Sequence, residues 1–540
     1  MTQSTRHSTQ PVIAAVLSLL LLLGAAWAAD ITSDTDEPTP KLTEADDGLP
    51  RLAAREFNSE LEMRVYAVTE MEGNWKLIGE TPSETPLEIP ECIYWVVSPP
   101  EWGEGWDDFA EVCREVDAQD IPGLRSWSRV TDDNLAMLSQ SDSLRYLSLA
   151  YSGITDARLQ RLSGMTQLLV LDLHGADITD IGLAHLATLT ELQDLDLSSP
   201  RHKITDAGMK HLKGLTELRH LDLDSTDITD EGLMHLRDMT QLEDLDLSQT
   251  DITGEGLHFL ARMPELQALD LGYTGLSDEG LRHLQLLTEL EELDLCSIDA
   301  TGPGMAYLAN LSKLKKLDLY RTDLTDTGLA HLAGLTQLEE LNLGSTNITD
   351  EGLIHLVDMI ELVELNLSGT EITDAGLANL AGLVHLKSLR LYGLAIEGKG
   401  VKHLANLTRL EYLDLSDSGI TDSDIEHLAG LSQLQTLDIS ESTVTDEGLK
   451  HLADLQRLQS LTLRGAPVTD DGLAYLTDMT QLEFLCLDGT LITDAGLTHL
   501  KGLTQLEELH LECKDVTRQG ADDLQDALPD TFVVHWSSME

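Results

Sequence analysis

Basic side chains are scarce in this chain: 35 Lys and Arg stand against 95 Asp and Glu, a formal charge of -60. A field of that sign repels phosphate backbones and excludes nucleic acid as a partner, leaving solubility, basic partners or divalent cations as its uses. Aromatics make up only 4% of 540 residues, so the core must be aliphatic. Cysteines number five, Cys92, Cys113, Cys296, Cys486 and Cys513. The odd count leaves at least one unpaired in a monomer, and there is no CxxC or zinc-type spacing. One apolar run is long, Val12 to Ala26, and no other stretch could cross a bilayer. Nucleophile elbow, P-loop, Rossmann glycines and HExxH are all absent, so neither an enzyme activity nor a cofactor is expected.

What is present is repetition. An L-x-x-L-x-L core begins at Leu144, Leu168, Leu192 and Leu218 and then every 24 residues to Leu506, sixteen copies in all. In the unit beginning at Leu338, Leu341 and Leu343 belong to a short strand and Ile348 follows a turn. Thr349 reads as a helix N-cap, with Asp350 in the first turn where its charge suits the exposed amides. Leu353, Leu356 and Met359 fall near one helix face. Such a unit cannot bury its leucines alone, so copies must stack into a solenoid with a parallel sheet on one side and helices on the other. Gly352 recurs as Gly328 and Gly376, but Arg158 and Asp424 occupy the same slot, so positive φ is not required there.

The pattern LxxLxLxxTxITDxGLxHLxxL resembles a leucine-rich repeat of the helix-bearing kind, similar to the cysteine-containing repeats of F-box proteins and the 24-residue bacterial GALA repeats. The resemblance covers about Asp120 to Cys513. It implies an α/β horseshoe or arc, with a concave parallel sheet and convex helices, that binds other macromolecules.

Taken in order, residues 1–28 form a secretory signal with cleavage expected after Ala28 at Ala26-Trp27-Ala28. An uncleaved N-terminal anchor is the alternative. Residues 29–58 are acidic and proline-punctuated, and are expected to be a disordered linker. Residues 59–119 should hold a small β-rich module and N-terminal cap. Its strands faintly resemble a PEGA-type module, and a β cap over the first edge of the solenoid is the other reading. Trp106 to Val116 reads as a helix. In an exported protein Cys92 and Cys113 are candidates to pair across this cap. Residues 120–515 carry the solenoid, with a degraded first repeat ahead of the sixteen. Residues 516–540 should close it with a helix over Val516 to Leu528 and a strand over Thr531 to Trp536.

The slot between the second and third core leucines holds Asp172, Asp196, Asp222, Asp246, Asp270, Asp294 and Asp318, then Asn342, Asn366 and Arg390, then Asp414 and Asp438. Strands about 4.8 Å apart would line these carboxylates up as like charges with raised pKa values. The seven-residue aspartate row is a calcium candidate or a trap for a basic ligand. Alternatively, its members are solvated or bonded to hydroxyls such as Ser248 and Ser368. Ten histidines at His185, His211, His235, His283, His331, His355, His403, His427, His451 and His499 are expected to be partly exposed helix residues rather than zinc ligands, since successive repeats hold them too far apart. The threonines Thr226, Thr250, Thr274, Thr322, Thr346, Thr370 and Thr490 should bond backbone groups in the turn. Departures from the repeat, Tyr273, Tyr320, Arg321, Lys387, Arg390, Tyr392, Tyr412 and Arg464, bring aromatics and cations to the acidic face and form the candidate partner-binding patch. The insertion at Pro200-Arg201-His202-Lys203 adds a basic bump on the rim.

These observations predict an exported, non-enzymatic scaffold, periplasmic, surface-bound or extracellular, that holds a protein or a glycan on its concave face. In role it resembles internalin-like adhesins. An F-box-like substrate receptor of a ubiquitin ligase and an acidic cation-binding structural protein of the envelope are the alternatives.

Overall fold

Three residues per repeat are enough to build the sheet. A computed structural model describes residues 55–68, 75–83, 85–90, 92, 94–99, 109–127 and 129–535, all within the unit Leu52–Glu540; the expectations for the signal, most of the linker and Trp536 lie outside them. In Glu340–Asn342 the central Leu341 points into the core and its neighbours point out. This strand pairs in parallel with Glu364–Asn366, Leu341 opposite Leu365 and Asn342 opposite Asn366, and the same register carries on from Gly123–Arg125 to Phe532–Val534. Leucine therefore stacks on leucine through the whole array. Each buried side chain contributes about 1.5–3 kcal/mol, and only because a neighbouring repeat covers it.

On the other side of each unit Leu353, Leu356 and Met359 are buried, as their spacing predicts. The helix is shorter than expected. It is α-helical over Asp326–Leu332 and Asp446–Leu452 but 3₁₀ over Gly352–Leu356 and Gly376–Leu380. With so few residues between the threonine and the return to the sheet, a single tight turn is often all that fits.

Asp350 has a role the sequence reading missed. Its carboxylate accepts the backbone N–H of Thr373 at 2.8 Å and the Thr373 hydroxyl at 2.7 Å, one repeat ahead. Eleven aspartates among the described residues clamp the next repeat's threonine in this way, from Asp156 on Thr179 to Asp494 on Thr517. The recurrent glycine follows from the clamp: a Cβ at Gly352 would collide with Asp326 Oδ1, and one at Gly376 with Asp350 Oδ1. Gly280 and Gly328, which follow Gly254 and Gly302 rather than an aspartate, are instead crowded by Leu276 and Leu324, and two slots lack glycine altogether. Arg158 turns its guanidinium onto Asp132, 3.2 Å away. Asp424 faces Gly398, which has no side chain, and accepts the N–H and hydroxyl of its own repeat's Thr421, both at 2.8 Å.

The turn after each strand holds a second regularity. Fifteen successive repeats put one residue in the left-handed region, from Tyr151 through Ser345 (φ 55°) and Gly369 (φ 66°) to Gly489. That conformation lets its N–H reach the next repeat, as Ser345 N–H donates to Ser368 O at 2.7 Å. Most of the occupants are not glycine, so strain is stored at each. Ser345→Gly is expected to raise stability by about 0.5–1 kcal/mol, relief of φ strain outweighing the added freedom of the unfolded chain. An unchanged or lower urea midpoint would show that the turn is unstrained. The adjoining threonines bond as predicted, Thr346 Oγ1 donating to Leu343 O at 2.7 Å.

At the N-terminal end Met63–Val68 lies between Trp75–Thr81 and Tyr94–Ser98, antiparallel to both. Tyr94–Ser98 then pairs in parallel with Gly123–Arg125, so this strand lies along the first solenoid edge. Arg55–Phe57 pairs with Leu87–Ile89. This corrects the linker boundary, because ordered backbone already exists before residue 58. The helix expected from Trp106 is described over Phe109–Ala118, and Cys92 and Cys113 are both buried. The closing helix is Arg518–Gln525, and among the described residues Phe532–Val534 pairs only with Glu508–His510. Among the described residues Trp75–Thr81 likewise pairs with one strand alone, which leaves the main sheet two ends.

Candidate binding face of the sheet

Two outward positions flank each central leucine, giving two columns of side chains across the sheet. The predicted aspartate row is one of them. Asp172, Asp196, Asp222, Asp246, Asp270, Asp294 and Asp318 are strand partners in unbroken order. Each also holds its own turn: Asp246 accepts from Ser248 N–H at 2.8 Å and from its hydroxyl at 2.6 Å, and Asp270 accepts from Gly272 N–H at 2.8 Å. Asn342 and Asn366 do the same through Oδ1, Asn366 accepting from the Ser368 N–H. The row is thus a structural device of Asx turns with one oxygen committed and a charge left over.

That charge is held under stress. Burial first, then repulsion from Asp196 and Asp246, pushes the Asp222 carboxyl up to about 8 against the opposing bond from Asp224 N–H. Burial likewise raises Asp270 to about 7 and Asp318 to about 6. In the other column burial raises Asp194 to about 6. Burial works to lower its neighbour His220, but the facing Asp244 and Asp194 outweigh it and raise the imidazole. His220 Nδ1 lies 3.9 Å from Asp244 Oδ2. A groove of about 550 Å3 runs along this stretch, from Asp194 to Arg390. Ten carboxylates line it, seven Asp and three Glu, against Lys316 and Arg390. Lys316 sits between Glu292 at 3.2 Å and Glu340 at 3.5 Å.

A family model described as leucine rich repeat matches residues 215–236, 239–261, 263–284, 334–357 and 362–381, and a second of the same description matches 408–468. The chain is a leucine-rich repeat protein. It is similar to an internalin of Listeria monocytogenes, at 25% identity over 70% of this chain and 92% of that one, with a TM-score of 0.46. A leucine-rich repeat protein of Leptospira interrogans is 20% identical over 74% of this chain and 98% of its own, with a TM-score of 0.48. The ectodomain of a plant membrane receptor kinase from Arabidopsis thaliana, in complex with Casparian strip integrity factor 2, is 18% identical over 87% and 59%, with a TM-score of 0.47. No curated protein matches the chain. Among the described residues no helix is long and apolar enough to cross a membrane.

The leucine-rich repeat array separates the predicted partner-binding residues into small groups. Arg390 and Tyr412 belong together, the guanidinium 5.0 Å from the ring centroid, and Tyr392 lies two residues on from Arg390, half exposed. Arg321 stacks 5.8 Å over Tyr320. Tyr273 and Arg321 both occupy the left-handed turn position, two repeats apart. Lys387 is engaged by Glu411 at 3.1 Å and Arg464 by Glu441 at 4.0 Å, so these two are already partly neutralised. Sequence reasoning missed Asp194, His220 and Lys316, all in the column before the central leucine, where the repeat has no shared residue type to draw attention to them. The basic bump is also answered locally: His202 meets Asp177 at 2.8 Å and Lys203 meets Asp227. The ten histidines sit on the helical side, partly or fully exposed, as expected.

Proposed function

We propose that this chain is an exported, non-enzymatic binding scaffold that takes a lysine- or arginine-rich segment of a protein partner into the groove between Asp194 and Arg390. The observation that carries the reading is the excess of ten carboxylates over two permanent cations in one groove, several of them with raised pKa values. A groove in that state gains when a cation arrives, because the incoming charge restores ionisation that burial and crowding oppose. Tyr320, Tyr392 and the Arg390–Tyr412 stack stand beside it as aromatic anchors. Export rests on the leading apolar segment and its A-x-A-like site.

The test is capture from the source organism's envelope and medium on immobilised protein, native beside a variant carrying Asp222→Asn, Asp246→Asn and Asp270→Asn. A partner held by the native chain and lost by the variant supports the reading; equal retention on both overturns it. Binding should also tighten as pH rises from 6 to 8, with proton release, because the partner's cations favour the ionised form of Asp222 and Asp270. A pH-independent affinity in isothermal titration would place the contact elsewhere.

A further inference from the structure

At the far end of the same face the repeat pattern gives way to a different set of side chains. Where the two units before them carry Asp438 and Thr462 in the outward slot and Ser440 and Arg464 two residues on, two adjacent units carry Cys486, Asp488 and His510. Their sulfur, oxygen and nitrogen atoms all lie within 4.8 Å of one another, the one such group of His, Cys, Asp or Glu found among the described residues. We propose that Cys486 Sγ, the Asp488 carboxylate and His510 Nδ1 bind a first-row divalent metal, with zinc the best fit, leaving a fourth coordination position open on the exposed face of the sheet.

The strand pairing makes the site. Cys486 and His510 are direct partners in adjacent parallel strands, and so stand about 4.8 Å apart at the backbone. Asp488 is two residues beyond Cys486 on the same face. Its Oδ1 accepts the Glu512 N–H at 2.7 Å, which orients Oδ2 toward His510 Nδ1, 3.8 Å away. A tetrahedral zinc with bonds of about 2.0–2.3 Å needs its ligand atoms about 3.3–3.8 Å apart, so small side-chain rotations close the triad. The other imidazole nitrogen is already placed: Nε2 lies 2.7 Å from Glu508 Oε1. A carboxylate on the far side of a ligating histidine fixes its ring and raises its basicity. Thiolate, imidazole and carboxylate together suit zinc better than calcium or magnesium. Metal binding displaces protons: the Cys486 S–H bond breaks, His510 Nδ1 gives up any proton it shares with Asp488, metal–sulfur and metal–nitrogen bonds form, and the protons leave to solvent.

The experiment is titration of the full chain, freed of metal by chelation and kept reduced, with Co2+ as a coloured stand-in for zinc. One equivalent should produce visible d–d bands and a thiolate-to-cobalt charge-transfer band that zinc then abolishes. Cys486→Ser should lose the charge-transfer band, His510→Gln should weaken Co2+ binding at least about tenfold, and Glu508→Gln should weaken it about tenfold. Absence of the band in the native chain overturns the proposal. So does a band that survives Cys486→Ser, since the sulfur would then be Cys296, Cys513 or another thiol. If Cys486→Ser fails to fold by circular dichroism, His510→Gln decides alone, and unweakened binding there overturns the site.

Discussion

Asp326→Gly should cost about 2–3 kcal/mol, Gly352→Asp at least as much, and the two together close to nothing. The first change leaves Thr349 N–H and its hydroxyl without the carboxylate they reach at 2.9 and 2.7 Å, and an unsatisfied, partly buried donor carries its full desolvation cost. The second drives a side chain into the space of Asp326 Oδ1 and sets two carboxylates against each other. The double variant copies an arrangement the chain already uses at Gly398 and Asp424, where the carboxylate serves the same threonine from within its own repeat. A double-mutant cycle by urea unfolding, with hydrogen exchange at the Thr349 amide, checks this. Additive losses would mean that the clamp and the glycine are unrelated.

Replacing Asp222 and Asp270 by Asn should stabilise the fold by roughly 1–3 kcal/mol each at pH 8, solvent at the groove screening the rest. The carboxyls are raised in the folded state to about 8 and about 7 from a starting value of 3.8. Between those limits the native chain holds protons that the unfolded chain has released, so stability falls as pH rises. The advantage of Asn should be small at pH 4 and grow until pH has passed the folded-state value, about 7 for Asp270 and about 8 for Asp222. Geometry is preserved, since Asn342 and Asn366 already make the same turn bond. Asn can also donate along the row, as Asn342 Nδ2 does to Asp318 Oδ2 at 2.8 Å. Thermal melts across that range decide the matter: equal shifts at pH 4 and pH 8 would show that charge is not the cause.

The stacking register could be read in advance because every unit repeats its leucines at one spacing, and register in a parallel array is dictated by what must be buried. The aspartate row followed from the same alignment. The Asp350 clamp did not, because its partner Thr373 is 23 residues away and a helix cap offers a local explanation for the same residue. The left-handed turns were hidden because Tyr273, Ser297 and Arg321 fill a place where glycine would have announced it. The Cys486, Asp488 and His510 group was invisible to a search for short metal-binding spacings, since its members come from neighbouring strands.

The clamp also bears on how such a gene can change length. Donor and acceptor recur at the same place in most units, so unequal crossing-over that removes or duplicates one of those units leaves the threonine facing an aspartate. Gly254, Gly302 and Gly398 stand where the aspartate would be, and after the last of them Asp424 takes the place of the usual glycine. A deletion joining the unit of Asp374 directly to that of Asp424 would set two carboxylates in one space. Asp424 therefore accepts before it only a unit with glycine in the clamp position, as Gly254, Gly302 and Gly398 provide, and this restricts which units recombination can join at that point.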